Sequence, residues 1–232
     1  MPATDVRRST LAERIGSTLA DLGATLPPDA PERLAAYLAL LDRWNDVYNL
    51  TAVKDPEQRR ILHLNDCLAV VAPIRARAMA RGRPLRTVLD VGTGAGLPAV
   101  VLALAFPEAS VHAVDAVGKK AAFVTQAAGA MRLPNLRVHH ARVETLRPGA
   151  ALPPADLVTS RAFASLADFV AGTRALRADD GEWLAMKGQW PQAEVDALPP
   201  DVTVTARQAL AVPELDAERH LLWLGPAPRP GA

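Results

Sequence analysis

The residues with the strongest chemical character stand in one short stretch, Asp90-Val91-Gly92-Thr93-Gly94-Ala95-Gly96-Leu97-Pro98. Thr87–Val91 has the apolar character of a buried strand, and the apolar run from Ala99 to Phe106 that follows reads as a helix. Glycines between a strand and a helix let a ligand approach the backbone closely, and helix-opening amides favour anionic groups. In a parallel α/β sheet such a turn lies beyond the carboxyl ends of the strands, where ligands bind. The stretch therefore reads as a cradle for a nucleotide-type cofactor, against the plainer alternative of a tight strand-to-helix connection. Its spacing narrows the choice. A dinucleotide fingerprint needs glycines at the first, third and sixth positions of the turn. Counted from Gly92, the third position is Gly94, but the sixth is Leu97, and Gly96 comes one place early.

The acidic-x-Gly-x-Gly-x-Gly pattern beginning at Asp90 instead resembles motif I of the Rossmann-like S-adenosylmethionine (SAM) methyltransferases. Asp115, 23 residues past Gly92, closes the second expected strand. A carboxylate there can accept hydrogen bonds from both ribose hydroxyls, or cap the helix that follows; NAD and SAM both carry such a ribose. Val143-Glu144 falls on the next loop of the same rim, suited to an adenine by one apolar and one polar contact. Ser160-Arg161-Ala162-Phe163-Ala164-Ser165 follows the fourth strand, where a reacting methyl group and its acceptor should meet. Arg161 offers a planar donor fork for carboxylate, phosphate or a guanine edge. Phe163 can stack on a base or plug the core. Lys187-Gly188 ends strand five on this rim, basic where a nucleic acid would need it. His63 and Asp66, three apart, share a helical face. A metal site there lacks a second ligand pair, so a hydrogen-bonded pair or a lid over the cofactor fits better. Arg219 enters the last strand beside His220, a structural histidine, while His139 and His140 adjoin on strand three and must face opposite ways.

These residues need a scaffold, and the chain supplies one. At 232 residues it accommodates one α/β domain with a helical extension. Ser9–Leu22 and the stripe Leu34, Tyr37, Leu38, Leu41 and Trp44 read as helices, with the aromatics assigned to the core. A third helix starts at Asp55-Pro56 and runs through Arg59, Arg60, His63 and Asp66. From Thr87 the pattern alternates, with strands at Thr87–Val91, Ser110–Val114, Leu136–His140, Asp156–Thr159 and Glu182–Met186. Helices at Gly118–Arg132 and Leu166–Leu176 imply a parallel sheet covered on both faces. Val202–Leu210 and His220–Leu224 have no long helix between them and should pair antiparallel, giving seven strands. The expected organisation is a helical extension (1–86), a Rossmann-like domain (87–225) and a proline-rich disordered tail (226–232).

Bulk properties bound the partners. The net charge of +1 argues against nucleic-acid binding by charge alone, but Arg43–Arg86 holds nine Lys/Arg against four Asp/Glu. Such an excess meets phosphates or forms a solvated face. The start of the chain lacks the apolar core of a signal peptide, and no apolar run is long enough to span a bilayer. One cysteine, Cys67, excludes an internal disulfide. Cytoplasmic residence is the expectation.

Tyr48-Asn49-Leu50-Thr51, His63-Leu64-Asn65-Asp66, the Asp90–Pro98 stretch, Ser160–Ser165, Lys187-Gly188 and Glu218-Arg219-His220-Leu221 together resemble the RsmG (GidB) family. The order and spacing fit from Leu34 to Leu224, and the Ser-Arg-Ala-Phe-Ala-Ser stretch is the most family-specific piece. The resemblance implies a class I SAM-dependent methyltransferase fold and a cytoplasmic enzyme acting on N7 of a guanine in 16S ribosomal RNA of the small subunit. It also implies cofactor contacts from Gly92, Leu97, Val143, Glu144 and Arg161. Two departures stand out: Cys67 replaces the usual serine after Asp66, and Ala99 replaces a frequent glycine after Leu-Pro. The chemistry calls for no general base, because guanine N7 carries a lone pair and no proton; Arg161 and Phe163 are the residues expected at methyl transfer. His63, Asp66, Ser160, Lys187 and Arg219 are expected to face RNA, no metal is expected, and the chain is expected to act as a monomer. Competing readings are a same-fold methyltransferase for a small molecule or protein, a nicotinamide dehydrogenase, and an RNA- or ribosome-binding module that retains the pocket.

Overall fold

The structure, a computed structural model, describes residues 3–161, 163 and 165–228. Its centre is a seven-stranded sheet: β1 (Thr87–Val91), β2 (Ser110–Asp115), β3 (Leu136–His140), β4 (Ala155–Ser160), β5 (Arg177–Lys187), β6 (Val202–Ala209) and β7 (His220–Pro226). The spatial order is β3-β2-β1-β4-β5-β7-β6. The first five strands run parallel, and β7 pairs antiparallel with both β5 and β6, as the short β6–β7 connection demands. The strand order reverses between β1 and β4, which opens a crevice beyond their carboxyl ends.

Nine helices are described: α1 (Ala3–Asp21), α2 (Ala30–Tyr48), α3 (Pro56–Arg59), α4 (Asp66–Leu68), α5 (Val71–Ala80), α6 (Ala99–Ala105), α7 (Gly118–Ala130), α8 (Leu166–Thr173) and α9 (Gln192–Asp196). Strand residues alternate between the two sheet faces, the two-residue period of a pleat. Val88, Val111, Ala113, Leu184, Leu221 and Trp223 join a core shared with α1, α2, α5, α6 and α7. Leu89, Val91, Val114, Val158, Trp183, Leu222 and Leu224 face the other way, against α8. Ile15, Leu34, Tyr37 and Leu68 are fully buried in the first of these cores, so the N-terminal helices close one face of the sheet.

Three local differences from expectation have physical causes. The single helix expected from Pro56 through Asp66 is interrupted by a π-helical turn, Arg60–Asn65, a widening often found at functional sites. β5 begins at Arg177, before the expected Glu182. There Gly181 lies so close to β4 that an added Cβ would stand 2.5 Å from the Ala155 carbonyl oxygen. β7 continues to Pro226, and Ala227 N–H donates to the Asp201 carbonyl at 2.8 Å. Residues 229–232 of the expected tail lie outside the described residues. Among the described residues no helix is long and apolar enough to cross a membrane.

Candidate functional site

β1 ends in Asp90 and Val91, and the chain then turns through Gly92 (φ 68°), Gly94 (φ 60°) and Gly96 (φ 85°) before α6. Gly96 is required twice over. Its φ is left-handed, and a Cβ would lie 3.1 Å from both Val124 γ-carbons of α7. Gly92 and Thr93 donate to the Val114 carbonyl at 2.9 and 3.1 Å, tying the turn to the end of β2.

Two carboxylates frame this turn. Asp115 Oδ2 accepts from Gly94 N–H at 2.9 Å and Oδ1 from Val117 N–H at 2.8 Å, so it braces the loops after β1 and β2 together. The alternative helix-capping role is not taken up: Val117 holds the N-cap position of α7 with no side-chain cap, Asp115 bonds on that side only the N–H ahead of the helix, and the carboxylate stays in the crevice. Asp90 is fully buried. Its Oδ2 accepts from Thr93 Oγ1 (2.6 Å) and Ala99 N–H (3.2 Å), while Oδ1 has no partner. Burial pushes its pKa up to about 6, partly countered by those two bonds and by Arg161. A buried acceptor without a donor is costly, so this oxygen fits a cationic or N–H-bearing ligand group. Beside these residues an open cleft of about 150 Å³ is lined by Gly92, Asp115, Ala116, Val143, Glu144 and Phe163, among others. Of the expected cofactor residues, Gly92, Asp115, Val143 and Glu144 thus line one cleft, while Asp90, Gly94, Gly96, Leu97 and Arg161 do not line it.

Phe163 packs on Phe169 of α8 with ring centroids 5.5 Å apart and also lines that cleft. Its neighbours Ala162 and Ala164, part of the Ser160–Ser165 stretch, lie outside the described residues. Ser160 is buried, and its hydroxyl donates to the Val91 carbonyl at 2.9 Å, locking the ends of β4 and β1 together. Lys187 is held by both oxygens of Glu194, at 3.0 and 2.8 Å, which neutralises the charge expected to face RNA.

Arg161, about three-quarters buried, is the centre of a second group. Its Nη1 donates to the Leu62 carbonyl and to His63 Nδ1, each at 3.2 Å, and lies 3.8 Å from Asp66 Oδ2. All three contacts use Nη1; Nε and Nη2 have no hydrogen-bond partner among the described residues. An arginine only donates, so His63 Nδ1 is an acceptor and its proton sits on Nε2. That N–H donates to Thr51 Oγ1 at 2.9 Å. Burial, with the Arg161 charge beside it, lowers His63 to about 4, and the ring is neutral at physiological pH. Asp66 is pushed up by burial and pulled back by Arg219 and Arg161. Arg219 Nε donates to Asp66 Oδ1 at 2.9 Å. The π turn matters here, because it delivers both Leu62 O and His63 to Arg161 while Asp66 opens α4 on the same side. His220 instead stands 3.5 Å from Glu218 and edge-on to Trp190.

Three contributors were not legible as site residues. Tyr37, placed in the core by its helical spacing, donates its hydroxyl to the Ala95 carbonyl inside the glycine turn at 2.5 Å. Nothing separates it in sequence from its apolar neighbours. Thr51 was within reach, as the end of the Tyr48–Thr51 stretch. Arg60, almost wholly buried, bonds Glu57 and Glu214 at 2.6 Å each and so anchors the β6–β7 connection that carries Arg219. The buried thiol of Cys67, raised by that burial, sits within the electrostatic reach of Arg161, Asp66 and Asp90. No group of three or more His, Cys, Asp or Glu among the described residues is placed to hold a metal ion.

The sheet order, the glycine turn at the switch point and the two framing carboxylates define a class I SAM-dependent methyltransferase. Solved structures agree on the fold. TrmN from Thermus thermophilus superposes with a TM-score of 0.56 at 22% identity, covering 76% of this chain and 55% of that one. A 1,6-didemethyltoxoflavin-N1-methyltransferase from Burkholderia thailandensis gives 0.54 at 17% identity, covering 82% and 88%. Within that class, residues 30–222 match the family described as GidB, rRNA small subunit methyltransferase G, and the chain belongs to it. Among curated relatives, the ribosomal RNA small subunit methyltransferase G of Leptothrix cholodnii is 52% identical over 205 residues, 88% of this chain and 91% of that protein. The protein of the same name from Verminephrobacter eiseniae is 46% identical over 239 residues, 97% and 98% of the two chains.

Proposed function

We propose that this methyltransferase uses SAM to methylate N7 of a guanine in 16S ribosomal RNA of the small ribosomal subunit, acting as a cytoplasmic monomer. The observation that carries this reading is the state of the bases around Arg161. His63 Nδ1 is occupied by the Arg161 guanidinium, and Asp66 is shared between Arg161 and Arg219. Both groups are committed to arginines, His63 Nδ1 by a 3.2 Å hydrogen bond and Asp66 by a 2.9 Å bond to Arg219 and a 3.8 Å ion pair to Arg161, which suits an acceptor atom that brings its own lone pair and loses no proton. Guanine N7 is such an atom.

Asp90 Oδ1, the backbone of Gly92–Gly96 and the Asp115 carboxylate would hold the cofactor, with Val143 and Glu144 beside its base. Bound there, SAM supplies an electrophilic methyl group on a sulfonium. The residues then contribute position rather than proton transfer. Tyr37 and Asp115 fix the turn, and Ser160 fixes the β4 end that carries Arg161. The Nε and Nη2 edge of Arg161, without a hydrogen-bond partner among the described residues, is the part that would orient a guanine or its phosphate. Alignment at near-attack distance accounts for a large part of such accelerations, and a pre-oriented polar wall tolerates the positive charge that develops on the purine.

The test is incubation with radiolabelled SAM and small subunits from a strain lacking the corresponding gene, with strand scission at N7-methylated guanines to locate the product. Label at one guanine of 16S RNA is expected. Label confined to protein or small molecules, or none, overturns the reading.

A further inference from the structure

Four large apolar side chains are markedly exposed among the described residues, and three of them lie on two segments joined by a hydrogen bond, one of which runs on from the cleft-lining Asp115-Ala116. Val47 (67% exposed) and Tyr48 (47%) end α2, and Val117 (39%) precedes α7. Val117 belongs to the loop braced by Asp115, whose Oδ1 takes its N–H. Lys119 Nζ donates to the Tyr48 carbonyl at 2.6 Å and so joins the two segments. That bond brings the end of α2 to the start of α7.

The Tyr48 ring has a rigid backing. It lies 4.9 Å from Trp44 at 41°; Trp44 lies 5.6 Å from Phe123 at 66°; Phe123 lies 5.9 Å from Tyr37 at 57°. The Trp44 indole is fixed by its N–H bond to Gln126 Oε1 at 2.9 Å. Four aromatic rings thus run from the glycine turn, which Tyr37 contacts, out to solvent at Tyr48. The turn after Tyr48 is equally constrained. Asn49 adopts a left-handed φ of 49° and bonds back to Asn45 O at 3.0 Å, and Asn45 Oδ1 accepts from Thr51 N–H at 2.8 Å. Thr51 in turn bonds His63, and through it Arg161. An exposed aromatic held this firmly loses little freedom on binding, which favours recognition over solvation.

We propose that Tyr48, with Val47 next to it in the last turn of α2 and the Lys119-Lys120 pair of α7 joined to it through the Lys119–Tyr48 bond, is a stacking platform for an unpaired RNA base next to the methylated guanine. The proposal rests on the rRNA reading above. Its chemistry is a π-face for any base and ammonium groups for the adjoining phosphates. Asp46 is the acidic side chain in the last turn of α2, outnumbered by the two lysines. An apolar protein segment would use the same exposed area without needing the lysines.

Three variants test this: Tyr48→Ala, Tyr48→Phe and Lys119→Ala, with sedimentation equilibrium as a check on copy number. Each is assayed for S-adenosylhomocysteine affinity by calorimetry, and for methyl transfer to undermethylated small subunits and to protein-free 16S RNA. Tyr48→Ala should raise KM for both RNA substrates by about tenfold, as expected for loss of one stacked base. Tyr48→Phe should restore the wild-type KM. Lys119→Ala should raise KM more weakly and flatten its salt dependence. Cofactor affinity should stay unchanged in all three. If wild-type protein methylates the subunit but Tyr48→Ala leaves KM unaltered, the platform is wrong and the enzyme reading stands. A KM defect on subunits but not on naked RNA would mean a ribosomal-protein contact, and a change in sedimentation would mean a second copy of the chain; either overturns the proposal. Wild-type protein without RNA methylation overturns both.

Discussion

Asp90→Asn separates what the buried carboxylate costs the empty fold from what it does for cofactor binding. Asp90 is fully buried, and its pKa is pushed from the ordinary 3.8 to about 6. A difference of about two units corresponds to about 3 kcal/mol at roughly 1.4 kcal/mol per unit. Between those two values the folded protein holds the proton more tightly than the unfolded chain. Stability therefore falls as pH rises from 3.8 to about 6, and the full cost persists above that. The asparagine oxygen can still accept from Thr93 and Ala99, while its amide takes the place of the unpartnered Oδ1, at a cost of about 1–3 kcal/mol. The variant should then be roughly as stable as wild type or up to about 2 kcal/mol more stable at pH 8, and about 1–3 kcal/mol less stable near pH 4. His63 and His112, both lowered to about 4 by burial, act in the opposite sense. Their contribution is present above pH 6.5 and lost as pH falls towards 4, and it cancels when variant and wild type are compared at each pH. Urea denaturation of the cofactor-free proteins at pH 4, 6 and 8, with calorimetric titration of SAM at pH 8, measures both quantities. SAM affinity should fall by at least about tenfold, about 1.4 kcal/mol. A stability difference that ignores pH would refute the buried titration, and undiminished affinity would refute the assignment of the orphan oxygen to the cofactor.

Further outcomes follow from the same geometry. Arg161→Lys keeps a charge but loses Nε and Nη2, the edge assigned to the substrate beside the Nη1 that bonds Leu62 O and His63; methyl transfer should fall by about a hundredfold with cofactor affinity reduced less, and full turnover would remove Arg161 from the site. Tyr37→Phe deletes the hydroxyl bonded to Ala95 O; SAM should bind about fivefold to tenfold more weakly for a stability loss of about 1 kcal/mol, and unchanged affinity would show that α2 does not set the turn. Because His63 is lowered to about 4 while Asp90 titrates near 6, the rate of Asp90→Asn at saturating SAM should be flat from pH 6 to 8 and fall only as the ring gains a proton towards pH 4; an inflection near 6.5 in that variant's pH–rate profile would contradict the Arg161–His63 bond. Gly96→Ala combines a φ of 85° with a 3.1 Å approach to Val124; a loss of about 1–3 kcal/mol is expected in thermal melts, and an unaltered melting temperature would argue against that turn geometry.

What the sequence made legible follows the range of each signal. The strands declared themselves because β1 is short, apolar and buried along its whole length, and because each is punctuated by turn residues. The antiparallel end of the sheet followed from chain length between Val202 and Leu224, since a parallel return needs a crossover. Asp90, Gly92, Gly94, Gly96 and Asp115 were legible because a turn with left-handed φ and a carboxylate at a strand end leave local traces in residue type. The partners of Arg161 left weaker traces. A π turn is set by packing rather than by propensity, so His63 and Asp66 looked like neighbours on one helix face instead of two sides of a guanidinium. Lys187 looked free because its partner, Glu194, lies on a five-residue helix with no buried residues and hence no periodic pattern.

The N-terminal helices show why this distinction matters for function. Read from spacing alone, α2 is a stripe of core residues. In the fold its Tyr37 hydroxyl reaches the glycine turn, and its last turn presents Tyr48. The residue after that turn that bonds His63 is Thr51, only three positions further on. One helix therefore touches the cofactor turn and the Arg161 group and carries the exposed Tyr48, and an error in its placement would disturb all three together. The same coupling yields a check on the whole arrangement. Tyr37→Phe and Tyr48→Ala lie at opposite ends of one aromatic ladder, and the first should act on SAM affinity and the second on RNA KM. If the two effects were interchangeable, or if the double variant failed to show both at full size, the separation of cofactor and RNA ends along α2 would be wrong.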